Sequence, residues 1–332
     1  MAEQRLPKRL MYGIRSLEQN NFSGEKRGAR MRRKKKLNSD QVMFHCMVWI
    51  PLLFIIIFNY IPMITGFSVA FKDYKPGLGI VGSPWVGMKH FRTIFMTDDT
   101  MRALRNTLII AFLKIIGNLI VPVIFALLLN EVRIKWFKRT TQTITYLPYF
   151  LSWIILAGIL TNVLKTDGGL VNRFMEALGL EPVFFLGSNK TFRWTLVVTD
   201  IWKNFGYNTI VYLAALTGID PSLYEAASID GAGRWKQTLH VTLPGISMFI
   251  VLMTIISVGN ILNAGFDQVF NLYNVSVYES GDIIDTLVYR LGIQQQQYSF
   301  STAVGLFKSV VSFVLIAGSN YLADKFAGYR VF

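Results

Sequence analysis

The sequence is short of charge, of cysteine and of histidine, and each shortage closes off a class of function. Charged residues make up 16% of the 332 positions, where a soluble domain carries roughly a quarter, so a water-coated globule of this length is not expected. Cys46 is the single cysteine, which excludes an intrachain disulfide and a cysteine-based metal site. The three histidines, His45, His90 and His240, are scattered without ligand spacing. No Gly-Lys-Ser or Gly-Lys-Thr phosphate loop occurs, so no nucleotide site of that kind is expected in this chain. A membrane-embedded enzyme would need a convergent nucleophile, base or metal set, and none is visible. No cofactor is expected.

What the chain has in excess is apolar surface: 52% of its residues are hydrophobic and its mean hydropathy is +0.39. A bilayer core about 30 Å thick takes roughly 20 apolar residues per helix. Six runs of that order stand between polar breaks, at 44–71, 104–130, 141–164, 192–217, 243–265 and 300–323. The last three also carry charged or amide side chains. These runs predict an all-α, polytopic membrane protein with six transmembrane helices over 42–332 and a basic tail over 1–41. The first run is longer than a signal-peptide core and no small-residue cleavage site follows it, so it reads as a retained helix.

Net charge is +14, and its placement is more informative than its size. Lys and Arg crowd the first 40 residues, most densely in "RGARMRRKKK" at 27–36. That is the positive-inside signature, and such an arm also suits anionic lipid headgroups. Nucleic acid would call for interleaved aromatics or a known binding fold, and neither is present, so nucleic acid is not an expected partner. With the amino terminus inside, 131–140, 219–243 and the tail after 323 also fall inside and, with the amino-terminal arm, hold most of the 34 Lys and Arg. Both termini are therefore expected in the cytoplasm.

Between the fourth and fifth runs, Asp220-Pro221 forms a good helix start, with Asp as cap and Pro at the first helical position. Leu223, Ala226 and Ala227 then share one face at i, i+3, i+4 spacing, with Tyr224 and Glu225 beside them. Asp230-Gly231 supplies a turn, and a second short helix, "RWKQTLHV", is expected to run until Leu243-Pro244 opens the fifth span. Periodicity alone reads this element equally well as a groove-docking helix or as an alanine-rich surface helix.

Polar residues also stand inside the apolar runs. Asp200, Lys203, Asn204, Tyr207 and Asn208 share one helical stripe, while Asn260, Asn263 and Asp267 recur in the fifth run and Lys114 and Asn118 in the second. Buried in hydrocarbon such groups are costly unless they face protein or a wet cavity. As a set they would line a polar path through the spans, with the flat rings of Tyr207 or Trp202 available to pack on a solute. Any one Asn reads equally as a helix-to-helix contact. Lys114, Lys203 and Lys308 lie deep, with Asp200 as the only carboxylate of similar depth. The expectation is an interior with excess positive charge, suited to an acidic solute such as a uronate oligosaccharide.

"EAASIDGAGRWKQTLHVTLP", at 225–244, resembles the signature loop of binding-protein-dependent ABC importer permeases. The match consists of Glu225, Ala226, Ala227, Gly231 and the ending "VTLP", with Val241 in place of the usual Ile. "TDIWKNFGYNTIVYLAALTGIDPSLYEAASIDGA" and "YRLGIQQQQYSFSTAVGLFKSVVSFVLIAGSNYLADKF" are similar to the carbohydrate (maltose-type) class, and most of all to permeases for oligosaccharides released from polysaccharides. The resemblance implies a type I importer fold in a bacterial cell membrane and a permease role without enzymatic activity. It implies a paralogous second permease subunit, two ABC ATPase subunits and an extracytoplasmic solute-binding protein. The loop would pass ATPase motion to the spans through Leu223, Tyr224, Glu225, Ala226, Ala227, Asp230, Gly231, Leu243 and Pro244. A neutral sugar or another small solute is the alternative cargo.

Overall fold

The computed structural model describes residues 39–259 and 261–327. Most of the basic tail and Asn260 lie outside the described residues. The chain divides into two units, Met1–Pro62 and Met63–Phe332. Among the described residues the secondary structure is helical, and the sole β pairing is the isolated bridge between Lys72 and Trp85.

The first described helix is α1 (Ser39–Ile55), which passes through a π turn at Ile56–Tyr60 into α2 (Ile61–Val69). After α3 (Lys89–Met96) comes α4 (Asp98–Glu131), the longest helix at 34 residues. Next are α5 (Lys135–Tyr146), α6 (Trp153–Leu164), α7 (Leu170–Ala177) and α8 (Phe192–Thr217). Two short helices, α9 (Pro221–Ile229) and α10 (Arg234–Gln237), lead through a second π turn, Thr238–Thr242, into α11 (Leu243–Gly259). The chain ends with α12 (Phe266–Leu272), α13 (Ile284–Tyr289) and α14 (Tyr298–Ala327).

Four of these stretches are long and apolar enough to cross a membrane: Met43–Val69, Asp98–Glu131, Arg234–Gly259 and Tyr298–Tyr321. The bent pair Lys135–Phe150 with Trp153–Leu164, at 106°, makes a fifth candidate when its two halves are taken as one span. Helix α8, at 26 residues, is long enough for a sixth, but Arg193, Asp200 and Lys203 keep it from being apolar. The third run is thus not the straight span its hydropathy predicts. Pro148 sits in the 3-10 turn Leu147–Phe150, and Ser152 begins a new helix by accepting a hydrogen bond from the Ile155 amide at 3.4 Å.

Leu243-Pro244 likewise does not open a new helix, because α10, the π turn and α11 run on without a break. Proline has no N–H to give, and its ring crowds the carbonyl four residues earlier. A π turn takes up that misfit by widening the helix. Both Pro62 and Pro244 follow the last residue of a π turn by two positions.

Helix α8 packs along α4 and α5, and α11 packs along α14. Three apolar clusters fix this arrangement within the second unit. One joins Ile110, Leu160, Phe192, Leu196 and Ile283, a second Ala70, Ile94, Ile284 and Phe300, and a third Val123, Tyr212, Leu216 and Ile246. Gly206 is what lets α8 approach α5, since a Cβ there would run into the Thr145 carbonyl. Gly206→Ala should therefore destabilise the protein by about 1–3 kcal/mol, read as a lower melting temperature in detergent. Gly158→Ala, inside a helix where a Cβ meets nothing within 4 Å, should not destabilise it and should raise the melting temperature slightly.

Candidate functional site

Helices α4, α8 and α11 enclose a cleft of about 250 Å³ that gathers Lys114, Asn118, Asp200, Asn204, Asn208 and Asn263. Lys114 from α4 pairs with Asp200 Oδ1 at 3.2 Å and donates to the Ala264 carbonyl at 2.7 Å and to Gln268 Oε1. The other carboxylate oxygen of Asp200 accepts from Asn118 Nδ2 at 2.9 Å and from Asn204 Nδ2 at 3.2 Å. Asn208 Nδ2 reaches Asn118 Oδ1 at 3.5 Å. The cleft is thus lined by one ion pair and a row of amides, which offer donors and acceptors to hydroxyl groups.

Gln268, which sequence reasoning missed, lies behind the cleft and holds Lys114 from there. It is fully buried, and its amide also donates to the Leu196 carbonyl and to Thr199 Oγ1, each at 2.8 Å. The only signal for it was an amide next to Asp267 in the short stretch "FDQVFNL". Its neighbour Asp267, named as a pathway residue, is exposed and does not line the cleft. Asn260, named with it, lies outside the described residues.

The expected stripe on α8 divides in two. Asp200, Asn204 and Asn208 face the cleft, whereas Lys203 and Tyr207 turn to the bent pair. The Lys203 ammonium donates to the carbonyls of Pro148 at 3.2 Å and of Tyr149 and Leu151 at 2.7 Å each. It also lies 5.5 Å from the Tyr149 ring centroid and 5.6 Å from that of Trp153. Tyr207 stacks on Tyr149 with centroids 3.8 Å apart, and Trp202 is exposed away from the cleft lining. Lys203 is therefore a cap for a broken span, because a 106° bend frees carbonyls that hydrocarbon cannot satisfy.

The expected surplus of interior positive charge is reduced by the same geometry to the charge of Lys203. Lys114 is balanced by Asp200, and Lys308 pairs with Asp285 at 2.5 Å. Lys203 is spent on backbone carbonyls.

The second candidate element is the loop before α11. Asp220 caps α9 by accepting from the Ser222 amide at 2.9 Å, and that hydrogen bond holds its carboxyl below the usual carboxylate range. Gly231 adopts φ +73° in the turn, a left-handed conformation costly for other residues. Tyr224 meets Thr242 Oγ1 at 3.1 Å and Arg234 pairs with Glu131 of α4 at 3.3 Å, so the loop is tied to α4 and to the π turn that enters α11. Helix α9 has no buried residue. Leu223, Glu225 and Ala226 are exposed, as are Ile229 and Trp235, while Leu243 and Pro244 are built into the following helix.

Residues 118–327 match the family described as binding-protein-dependent transport system inner membrane component. The polygalacturonan/rhamnogalacturonan transport system permease protein YteP of Bacillus subtilis (strain 168) is 43% identical over 86% of this chain and 89% of its own length. Protein LplB of the same strain is 46% identical over 83% of this chain and 86% of its length. A solved bacterial ABC transporter involved in the import of the acidic polysaccharide alginate contains a chain with 37% identity and a TM-score of 0.79, covering 86% of this chain and 96% of that one. With half of the chain or more matched by the family and these relatives spanning nearly all of it, the protein belongs to the binding-protein-dependent transport system inner membrane components and is a multi-pass permease subunit of an ABC importer with the type I fold.

Proposed function

We propose that this permease moves an acidic, uronate-containing oligosaccharide into the cytoplasm. The observation that carries the proposal is the convergence of Lys114, Asn118, Asp200, Asn204, Asn208 and Asn263 on one cleft between spanning helices. Amides around a paired carboxylate suit sugar hydroxyls, and Lys114 can exchange its pairing with Asp200 for a uronate. Relatives named for polygalacturonan, rhamnogalacturonan and alginate support the acidic class. Both termini lie in the cytoplasm in this reading, and α9 with its turn docks an ATPase through Leu223, Tyr224, Glu225, Ala226, Ala227, Asp230 and Gly231. A paralogous permease, two ATPase subunits and a solute-binding protein complete the importer; one relative in the same fold was solved together with an alginate pentasaccharide-bound periplasmic protein.

The test is ATPase activity and uptake by the reconstituted importer with its binding protein, across trigalacturonate, an alginate trisaccharide and maltotriose. Uronate oligomers should stimulate hydrolysis severalfold more than maltotriose. Equal or greater stimulation by the neutral sugar would overturn the acidic assignment.

A further inference from the structure

A second and larger cavity, about 450 Å³, opens at the other end of α4. It is lined by Arg102 and Arg105 from α4, Arg193 from the first turn of α8, the amides of Asn106 and Asn189, and the carboxylates of Asp98 and Glu279. Arg105 lies about 26 residues before Glu131, which is tied to the loop through Arg234. At 1.5 Å per residue this puts the cavity roughly 40 Å from the loop, at the outer side in the orientation proposed above.

The arginines here are not used up by the fold. Arg102 pairs with Asp99. Among the described residues neither Arg105 nor Arg193 has a carboxylate within 4 Å, and the two like charges repel each other. Arg193 is nevertheless held in place: its Nη2 donates to Asn106 Oδ1 at 2.9 Å, and the buried Asn106 amide is itself fixed on the carbonyls of Glu279 at 3.0 Å and Asp282 at 3.1 Å. The Nε atoms of Arg102 and Arg193 are buried without a hydrogen-bond partner among the described residues. Of the two lining acids, Glu279 accepts from Asn189 at 3.3 Å and Asp98 sits in the first turn of α4, where the helix dipole favours it.

We infer that Arg105 and Arg193 form an outer receiving site for a carboxylate of the acidic oligosaccharide, engaged between its release and its entry into the cleft. The inference rests on the proposed acidic cargo. A guanidinium without a carboxylate matches a uronate by paired N–H donors, and the concave, amide-lined cavity suits a sugar unit better than a flat protein surface. The site lies outside the cleft of Lys114 and Asp200 and shares no lining residue with it.

The experiment is uptake by the reconstituted importer at saturating loaded binding protein, with trigalacturonate and its methyl ester, for the parent, Arg105→Gln and Arg105→Gln/Arg193→Gln. Arg105 is exposed, so its single variant folds even if the double variant does not. Trigalacturonate uptake should fall roughly tenfold in the double variant and severalfold in the single one, the worth of a charge-assisted hydrogen bond. Uptake of the ester, and the concentration of binding protein giving half-maximal rate, should stay unchanged. A parent that refuses trigalacturonate and the alginate trisaccharide alike overturns the acidic cargo and this site with it, and one that takes only the alginate trisaccharide is read with that sugar and its methyl ester. A parent that takes it while the variants match the parent overturns the site alone. An equal fall for both sugars, or a raised requirement for binding protein, also overturns the site and assigns the arginines to protein docking.

Discussion

Replacing Glu225 by arginine should abolish ATP-driven uptake and release the ATPase on purification, while leaving the melting temperature of the permease unchanged. The second half follows from the structure, because Glu225 is exposed on a helix with no buried residue and makes no hydrogen bond or ion pair among the described residues. Nothing inside the chain is lost when it changes. The first half follows from the docking role proposed for α9, whose exposed Leu223 and Ala226 stand beside it. The docking role proposed for Glu225 sets it against a basic group of the ATPase; a reversed charge there would cost several kcal/mol, so assembly should weaken by roughly a hundredfold or more. Co-purification and stimulated ATPase activity read the two effects separately. Unaltered assembly of the Glu225→Arg variant would remove the docking role from this helix face.

The other large effect is expected far from the loop, in a part of the fold that no motif announces. Asp282 is fully buried, and its carboxylate receives Arg290 at 3.1 and 2.5 Å and Thr286 Oγ1 at 2.8 Å. Arg290 also lies 4.4 Å from the Tyr278 ring centroid. The two residues that follow Asp282 bind this knot to the cores, since Ile283 belongs to the cluster of Phe192 and Leu196, and Ile284 to that of Ile94 and Phe300. Asp282→Ala leaves Arg290 with its charge uncompensated in a mostly buried place, and such broken pairs cost about 3–5 kcal/mol. The melting temperature in detergent should fall by more than for any surface variant. Adding Arg290→Met should recover part of the loss, because the unpaired charge goes with it. A double variant less stable than Asp282→Ala would show that the arginine contributes through other contacts.

How far the sequence anticipates this structure depends on the range of the interaction. The loop was legible because its cap, its turn and its alanine face are all local: Asp220 to Ser222, the positive φ at Gly231, and i, i+3, i+4 spacing. The apolar runs were legible because hydropathy sums over neighbours. The bend at residues 151–152 was not, since "LPYFLSW" is as apolar as a straight span and only the Ser152 cap betrays the restart. Lys203 reads as a pathway cation until the carbonyls of residues more than 50 positions away are placed around it. Asp285 and Lys308 are 23 residues apart with no common periodicity, so their pairing is a product of tertiary packing. Arg105 and Arg193 entered the sequence reading only as counted charge, and their meeting depends on α4 and α8 lying side by side.

The π turn at Thr238–Thr242 has a kinematic consequence. It holds one residue more than an α-helical turn needs, on the rod that joins the loop to its span. Taking up that residue, or letting it out, would turn everything on the loop side by about 100° and shift it by roughly 1.5 Å along the axis. A rigid rod can return a push only as a push. A rod with this turn would return part of it as rotation, so that a modest displacement at the loop end would reach the cleft as a change of facing.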